Sequence, residues 1–197
     1  MISETLVLVG CHGAGKSTLG HRLAVRLGYD FHDEIGLRLA SDPARRPPDR
    51  TAADAQYTFD RAVFDAELQR DFASVGVSRV VETWHPGNLA YAALRSPAVV
   101  VEYLTRLQVW PRGGRVRAIV VEASDAVLAA RQWEPGPLAF FQRVGRDAEA
   151  WCRELGIPIA ARVRTDAGSP DQLTEHLIKQ LQRDACASLV PVTEVHP

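Results

Sequence analysis

Lysine is almost missing from this chain. Of its 23 basic residues only Lys16 and Lys179 are lysines, and all the others are arginines. This one-sided choice is a bias of the whole composition. An arginine in this sequence is therefore weaker evidence for a binding role than it would be in a chain of ordinary composition.

Excess charge, long apolar runs and cysteine clusters are missing as well. The net charge of −1 argues against a protein whose main task is to grip nucleic acid, because phosphate backbones need a basic surface. No apolar run approaches the roughly 18 residues of a membrane span, and the first residues do not resemble a signal peptide. Cys11, Cys152 and Cys186 form no ligand cluster and leave an odd count, so we expect a reducing, cytoplasmic setting.

Apolar runs and helical patterns alternate along the 197 residues. This alternation is typical of βαβ proteins with a parallel sheet. Strands are predicted at residues 5–9, 29–33, 77–82, 116–122 and 158–163, with roughly seven helices between them. The sequence therefore predicts one three-layer α/β domain over residues 1–188 with a five-stranded parallel sheet, and a loose tail at 189–197.

A glycine-rich segment follows the first predicted strand. It runs Gly10-Cys11-His12-Gly13-Ala14-Gly15-Lys16-Ser17, with Thr18 next, and fits the Walker A pattern of a P-loop. The glycines let the backbone wrap closely around phosphate oxygens, where a β-carbon would collide. Successive N–H groups and the N-terminus of the following helix face the negative charge. The segment predicts a P-loop NTPase fold that binds a nucleoside triphosphate, and we expect ATP.

The expected nucleotide contacts are Gly10 and the residues from His12 to Thr18. Lys16 is expected to reach the β- and γ-phosphates, and the Ser17 hydroxyl to complete the Mg²⁺ shell. The cofactors predicted are thus ATP and Mg²⁺, with Ser17 as the metal ligand. The chain is too short for a motor with its accessory domain, and it lacks the Asn/Thr-Lys-x-Asp pattern of guanine specificity. A small kinase fits the length best.

Several further segments resemble the nucleoside-monophosphate kinases, and thymidylate kinases most of all. Glu82-Thr83-Trp84, Gly87 and Ala90-Tyr91 match in spacing a strand that ends in Asp-Arg-Tyr and its following helix. Tyr57 and Arg61 stand where that family has a base-stacking aromatic residue and an arginine, so the resemblance implies that they bind substrate. The segments Val120–Arg131 and Phe141–Val144 are similar to the strand and helices around the family's lid.

Two departures from that family concern the phosphoryl acceptor. Thr83 stands in place of the arginine that holds the acceptor's phosphate, and Gly87 in place of a serine. Deoxynucleoside kinases carry a glutamate at this strand end that accepts a proton from the attacking hydroxyl, and Glu82 suits that role. Glu82 could also orient a Mg²⁺-bound water, or merely cap a neighbouring helix. The acceptor is therefore either an unphosphorylated alcohol or a monophosphate held by other arginines.

The remaining candidates surround the predicted acceptor site. Asp33 and Glu34, after the second strand, and Trp84, after the third, are expected to contact the acceptor, because the carboxyl ends of parallel strands open into the ligand crevice. Arg131 and Arg143 flank a predicted lid at 132–146 and are expected to stabilise charge on the transferring phosphoryl group. An acceptor-binding insert is expected at about 36–75, with a solvated loop as the alternative for Arg45, Arg46 and Arg50.

The sequence thus predicts an ATP-dependent phosphotransferase. Its catalytic residues are Lys16, Glu82, Arg131 and Arg143, and its acceptor is a nucleoside or nucleoside monophosphate. A shikimate- or gluconate-type kinase is one alternative, and a regulatory protein that hydrolyses ATP slowly is another. The partner expected is a small molecule, without nucleic acid or membrane, and a homodimer is left open.

Overall fold

A computed structural model describes residues 3–42, 52–108, 114–131 and 137–187. The five strands are β1 (Glu4–Val9), β2 (Asp30–His32), β3 (Arg79–Glu82), β4 (Arg115–Glu122) and β5 (Ile159–Arg164). They form one sheet in the order β2-β3-β1-β4-β5, and every neighbouring pair is parallel. The prediction of a five-stranded parallel sheet is confirmed.

Eight helices lie within the described part of the chain, one more than the prediction of roughly seven. They are α1 (Lys16–Leu27), α2 (Ile35–Ser41), α3 (Ala53–Ala73), α4 (Trp84–Arg95), α5 (Pro97–Gln108), α6 (Asp125–Arg131), α7 (Leu138–Glu154) and α8 (Pro170–Ala187). Helix α2 was not predicted. Helices α4 and α5 are separate because the rigid ring of Pro97 begins α5.

Alternate residues of the central strands bury two separate faces of the sheet. Leu6 and Leu8 point toward α1 and α8, whereas Val7 and Val9 point toward α4 and α7. All four side chains are at most 1% exposed. The period of two along a strand explains why β1 is an unbroken apolar run, as it is covered on both sides. The structure is therefore the predicted three-layer sandwich.

Three predicted features fall wholly or partly outside the described residues. Arg45, Arg46 and Arg50 of the expected insert lie there, as does the tail at 189–197. Of the expected lid, residues 132–136 lie outside, and the rest belongs to the start of α7 and the residue before it. None of the helices within the described ranges is long and apolar enough to cross a membrane.

Candidate active site

The glycine-rich loop joins the end of β1 to the start of α1. Gly10, Gly13 and Gly15 have φ angles of 144°, 79° and 94°, a region that side chains rarely adopt. A β-carbon at Gly10 would also collide with the carbonyl oxygen of Val121. The side chain of Lys16 folds back over this loop, where its Nζ donates to the carbonyls of Gly10 at 3.3 Å and Cys11 at 3.2 Å. The loop therefore has a backbone shape that suits a phosphate group.

A cavity of about 510 Å³ lies beside this loop, and we call it the loop cavity. Its lining includes His12, Gly13, Gly15, Lys16, Ser17, Thr18, Glu34, Glu82, Arg131 and Thr165. The cations Lys16 and Arg131 both line it, as do the first residues of α1. This combination of backbone N–H groups and two cations suits a polyphosphate.

Glu82 is the acid at the carboxyl end of β3 and lines the loop cavity. It is 5% exposed, and burial raises the pKa of its carboxyl, while Lys16 and Ser17 offset part of the rise. Its carboxyl lies on the loop side, next to the serine that is expected to bind Mg²⁺. Within the described ranges no three His, Cys, Asp or Glu side chains group around a metal position. Nucleotide phosphates would supply most Mg²⁺ ligands, as Mg²⁺ generally prefers.

The two predicted lid arginines lie in different surroundings. Arg131, at the end of α6, donates to the carbonyl of Gly13 at 3.3 Å and to the Thr165 hydroxyl at 3.4 Å. Arg143 instead lies on the exposed side of α7, where its side chain is 63% exposed and pairs with Asp147 at 3.5 Å. It lines neither of the two cavities described here. The structure therefore brings Arg131 to the loop but leaves Arg143 facing solvent.

A second cavity of about 220 Å³ adjoins the first, and we call it the aromatic cavity. Five aromatic rings line it: Phe59, Tyr91, Tyr103, Phe140 and Phe141. Its polar lining comprises His12, Glu34, Gln56, Asp60, Asn88 and Arg95. His12, Glu34 and Leu37 line both cavities. A largely apolar space with a few polar groups therefore shares part of its wall with the loop cavity.

An ion pair is built into the wall of the aromatic cavity. Arg95 of α4 donates to Asp60 Oδ1 of α3, and Asp60 is 5% exposed. Burial raises the pKa of the Asp60 carboxyl, and the charge of Arg95 opposes that rise. Asp60 Oδ2 and Arg95 Nε are buried without a hydrogen-bond partner among the described residues. Both atoms are enclosed within the wall and are not exposed to the cavity.

Tyr57 and Arg61 do not line the aromatic cavity, contrary to the expectation from the family resemblance. Both bind Glu102 of α5 instead, through the Tyr57 hydroxyl at 3.3 Å and the Arg61 guanidinium at 3.3 Å. The cavity takes its α3 residues from the adjacent stripe, which consists of Gln56, Phe59, Asp60 and Val63. That stripe has the spacing of one helix face, a signal that was present in the sequence.

Trp84 is also placed differently from the prediction. It is 5% exposed, packs in the core between the sheet and α7, and donates its Nε1–H to Asp71 at 2.9 Å. It lines neither cavity. The α4 residues at the aromatic cavity lie further along the helix, at Asn88, Tyr91, Ala92 and Arg95. The sequence analysis did not identify Asp60, Arg95 and Tyr103, because these residues lie on three different helices, α3, α4 and α5.

The two acids after β2 diverge. Asp33 is exposed, and its backbone carbonyl accepts from Arg70 at 2.6 Å. Glu34 turns inward, lines both cavities and accepts a hydrogen bond of 2.8 Å from the Thr83 hydroxyl. Of the two acids that the sequence predicts near the acceptor, Glu34 is therefore the one that faces the ligand space.

Thr83 occupies a strained turn between β3 and α4. Its φ and ψ are 65° and −60°, and Trp84 follows with a φ of 45°. Non-glycine residues held in such regions cost about 1–3 kcal/mol each and persist only where the surroundings fix them. Here the Thr83 N–H donates to the carbonyl of Leu8 at 2.9 Å, and Asp71 fixes Trp84. The strained residue Thr83 thus directly follows Glu82 in the chain and binds Glu34 through its hydroxyl.

Comparisons with known proteins support the assignment of the fold. No protein-family model matches the chain. Deoxyadenosine kinase from M. mycoides with bound dATP superimposes with a TM-score of 0.68 at 12% identity, over 90% of this chain and 99% of that one. Shikimate kinase from Acinetobacter baumannii gives 0.55 at 16% identity, over 93% and 95%. The chain has the fold of the P-loop nucleoside and small-molecule kinases.

One curated sequence adds a short local match. Shikimate kinase of Paramagnetospirillum magneticum is 66% identical over 32 residues, which are 16% of this chain and 16% of that protein. The match therefore relates a segment of the chain and not its whole length. A specific likeness to thymidylate kinases is not among these findings.

Proposed function

We propose that the chain transfers the γ-phosphoryl group of ATP to a hydroxyl of a neutral acceptor with an aromatic ring system, such as a nucleoside. The observation that carries the proposal is the position of Glu34, which lines both the loop cavity and the aromatic cavity. A carboxylate at that junction is within reach of a hydroxyl in one cavity and a phosphate in the other. Such a base must touch the proton that it removes.

The residues divide the reaction between them. The loop N–H groups, Lys16 and Arg131 hold the phosphates and neutralise their charge. The Ser17 hydroxyl would hold Mg²⁺ together with the phosphates, and Glu82 would orient water ligands of the ion, which would supply further charge stabilisation. Glu34 accepts the proton of the acceptor hydroxyl while that oxygen bonds to the γ-phosphorus and the bond to the β-phosphate oxygen breaks. The products are ADP, the phosphorylated acceptor and protonated Glu34.

The aromatic cavity supports a ring-bearing acceptor. Five aromatic side chains surround it, and flat π-systems pack well against such faces. Asn88 is held at the cavity wall because its Nδ2 donates to Glu67 Oε2 at 3.1 Å. With Gln56 and Arg95, it adds polar side chains to the lining that could bind the edge of a heterocycle.

Charge favours a neutral acceptor over an anionic one. Among the described residues, the cavity lining holds the acids Glu34 and Asp60 and one permanent cation, Arg95, which already pairs with Asp60. A monophosphate or a carboxylic acid such as shikimate would need further positive charge. Thr83, in place of the phosphate-binding arginine, removes one more source of it. These facts favour the nucleoside over the nucleoside monophosphate.

A shikimate-type kinase is the second candidate, and the 32-residue match to a shikimate kinase favours it. The two proposals differ in the charge of the acceptor. On the second, Arg45, Arg46 and Arg50 would have to supply the missing cations, and replacing all three by alanine should abolish turnover. On the first, the same triple variant should keep turnover with a neutral acceptor.

A coupled ADP-release assay with Mg²⁺-ATP separates the candidates. The panel contains nucleosides, nucleoside monophosphates, shikimate, gluconate and a control without acceptor. We expect nucleosides to stimulate ADP release and Glu34→Gln to lower kcat by about 10²–10⁴-fold, the usual contribution of a general base. Stimulation by shikimate alone would establish the second candidate. Slow hydrolysis that no acceptor changes would identify a regulatory ATP-binding protein instead.

A further inference from the structure

The side chain of Thr83 forms a hydrogen bond with one carboxylate oxygen of Glu34. Its hydroxyl donates to Glu34 Oε2 at 2.8 Å, and Thr83 lines neither the loop cavity nor the aromatic cavity. The other carboxylate oxygen, Glu34 Oε1, lies beside Gly36 on the wall of the aromatic cavity, 3.6 Å from where a β-carbon of residue 36 would be. Thr83 thus holds one oxygen of Glu34 and leaves the other toward the ligand space.

The strained turn sets the direction of this side chain. With φ at 65° and ψ at −60°, the Cα–Cβ bond of Thr83 points differently from that of a residue continuing the strand. The backbone cannot relax easily, since the Thr83 N–H donates to Leu8 and its carbonyl accepts from Gly87 at 3.0 Å. The turn and both of its ends are therefore fixed by hydrogen bonds.

Gly87 completes the arrangement. A β-carbon at position 87 would overlap the Thr83 methyl group, although Gly87 lies in a helix with ordinary φ. The absence of a side chain at 87 provides the space in which the Thr83 methyl sits. The two positions at which this chain departs from the thymidylate kinase pattern are thus in direct contact and fit each other.

We propose that Thr83 is a positioning residue that orients the Glu34 carboxylate toward the acceptor hydroxyl. The proposal rests on the proposed function, in which Glu34 is the base. A hydrogen bond to Oε2 fixes the rotation of the carboxylate, so that Oε1 faces the aromatic cavity. Misplacing a reacting group by about 1 Å can cost about 10²-fold in rate, although the groups that bind the substrates are unchanged.

The test compares Thr83→Val with Thr83→Ser in steady-state kinetics, using Mg²⁺-ATP and the acceptor found in the panel. Valine keeps the branched shape and loses the hydroxyl, whereas serine keeps the hydroxyl and loses the methyl group. We expect Thr83→Val to lower kcat by 10- to 100-fold with the KM of both substrates changed less than 3-fold, and Thr83→Ser to keep most of kcat. Thr105→Val is the matched control, because Thr105 is exposed on α5 and donates only to its own helix at 2.9 Å.

A double-mutant cycle with Glu34→Gln distinguishes a positioning role of Thr83 from a purely structural one. If Thr83 acts through Glu34, Thr83→Val should lower the single-turnover rate in the wild-type background and leave it unchanged in the Glu34→Gln background. Equal losses in both backgrounds would overturn the proposal, as would a serine variant as slow as the valine variant. If Thr83→Val does not fold, Thr83→Ala and the double variant Thr83→Ala/Glu34→Gln complete the same comparison, because alanine also removes the hydroxyl that binds Glu34.

The two proposals can fail separately. A Glu34→Gln variant with normal kcat contradicts the role of Glu34 in the proposed function. A Glu34→Gln variant that has lost its activity beside a fully active Thr83→Val variant leaves the proposed function standing and overturns only the role of Thr83.

Discussion

Gly145 of α7 lies directly against Cys11 of the phosphate-binding loop. A β-carbon at position 145 would come within 2.7 Å of the Cys11 backbone nitrogen and 3.2 Å of its α-carbon. Helix α7 therefore supports the loop through backbone contact, with no side chain in between. Gly145 and Cys11 lie more than 130 positions apart in the sequence, so the shape of the loop depends on a distant segment of the chain.

This contact predicts the effect of Gly145→Ala. In an exposed helix the change would add up to about 1 kcal/mol of stability. Here the added methyl group must displace α7 or the loop, and such overpacking costs about 1–3 kcal/mol. We expect a lower free energy of unfolding in urea and weaker Mg²⁺-ATP binding by calorimetry. Ala150→Gly, on the exposed side of the same helix, should cost about 0.5–1 kcal/mol and leave ATP binding intact.

Glu82→Gln should separate activity from stability. The raised pKa of Glu82 means that the folded chain holds this proton more tightly than the unfolded chain. The stability that Glu82 contributes is thus present at low pH and is lost as the pH rises through its folded-state pKa. Glutamine removes that loss, so the variant should be more stable than wild type at pH 7.

Its kcat should fall by about 10²-fold if Glu82 helps to place the metal and its water. The wild-type rate should also decline on the acid side as Glu82 becomes protonated. Glu154→Gln, an exposed position near the end of α7, is the control for both measurements. A fully active Glu82→Gln enzyme would exclude a role for this carboxylate in the reaction.

The Asp60–Arg95 pair should affect the KM of the acceptor and not the KM of ATP. Asp60→Asn keeps the shape of the side chain and leaves the Arg95 charge unpaired in a wall that has little access to water. We expect the acceptor KM to rise by about 10-fold, which is roughly 1.4 kcal/mol, with the KM of ATP unchanged. Asp65 lies on the same helix as Asp60 and forms an exposed ion pair with Arg106 of α5, so Asp65→Asn should change neither KM. An unaltered acceptor KM would place the acceptor elsewhere.

The lowered pKa of His32 predicts that the free energy of unfolding depends on pH. Burial and the charges of Arg70 and Arg79 lower its pKa from 6.5 to about 4, and its Nδ1 is buried without a partner among the described residues. Between these values the unfolded chain takes up a proton that the folded chain does not. The His32 contribution is therefore present above pH 6.5 and is lost as the pH falls toward 4.

The size of that loss should be about 1–2 kcal/mol after allowance for solvent screening. His32→Gln removes the titrating group, so urea unfolding at pH 7 and at pH 5 should differ less in the variant than in wild type. His176→Gln, exposed on α8, should keep the wild-type difference. An identical difference in all three proteins would show that another group is responsible.

Local patterns predicted the frame of the molecule well. The apolar run of β1, the glycines after it and the helical stripe of α1 lie within 24 consecutive residues, since they extend from Glu4 to Leu27. Each of these signals acts over a few residues, and all of them point to the same structure. The capping box before α8 acts over an equally short range, and there Ser169 and Gln172 exchange hydrogen bonds at 3.0 and 3.3 Å.

The acceptor side was predicted less well, and the errors share one cause. Tyr57 and Arg61 have the right spacing to share a helix face, but nothing in α3 alone indicates which of two adjacent stripes turns toward the cavity. The partners Glu102 and Arg95, on α5 and α4, decide it. In the same way Asp71 draws Trp84 into the core, although the two are 13 positions apart.

The sequence by itself determined the phosphate-binding loop, because strand, glycines, lysine and helix are consecutive and their geometry is local. Only the tertiary structure decided the rest of the site. It brought together Glu34, which follows β2, and Thr83, which follows β3, because these two parallel strands are neighbours in the sheet. It also set Gly87 against the Thr83 methyl group. Contacts between distant segments depend on how whole helices pack on the sheet, and no spacing along the chain encodes that packing directly.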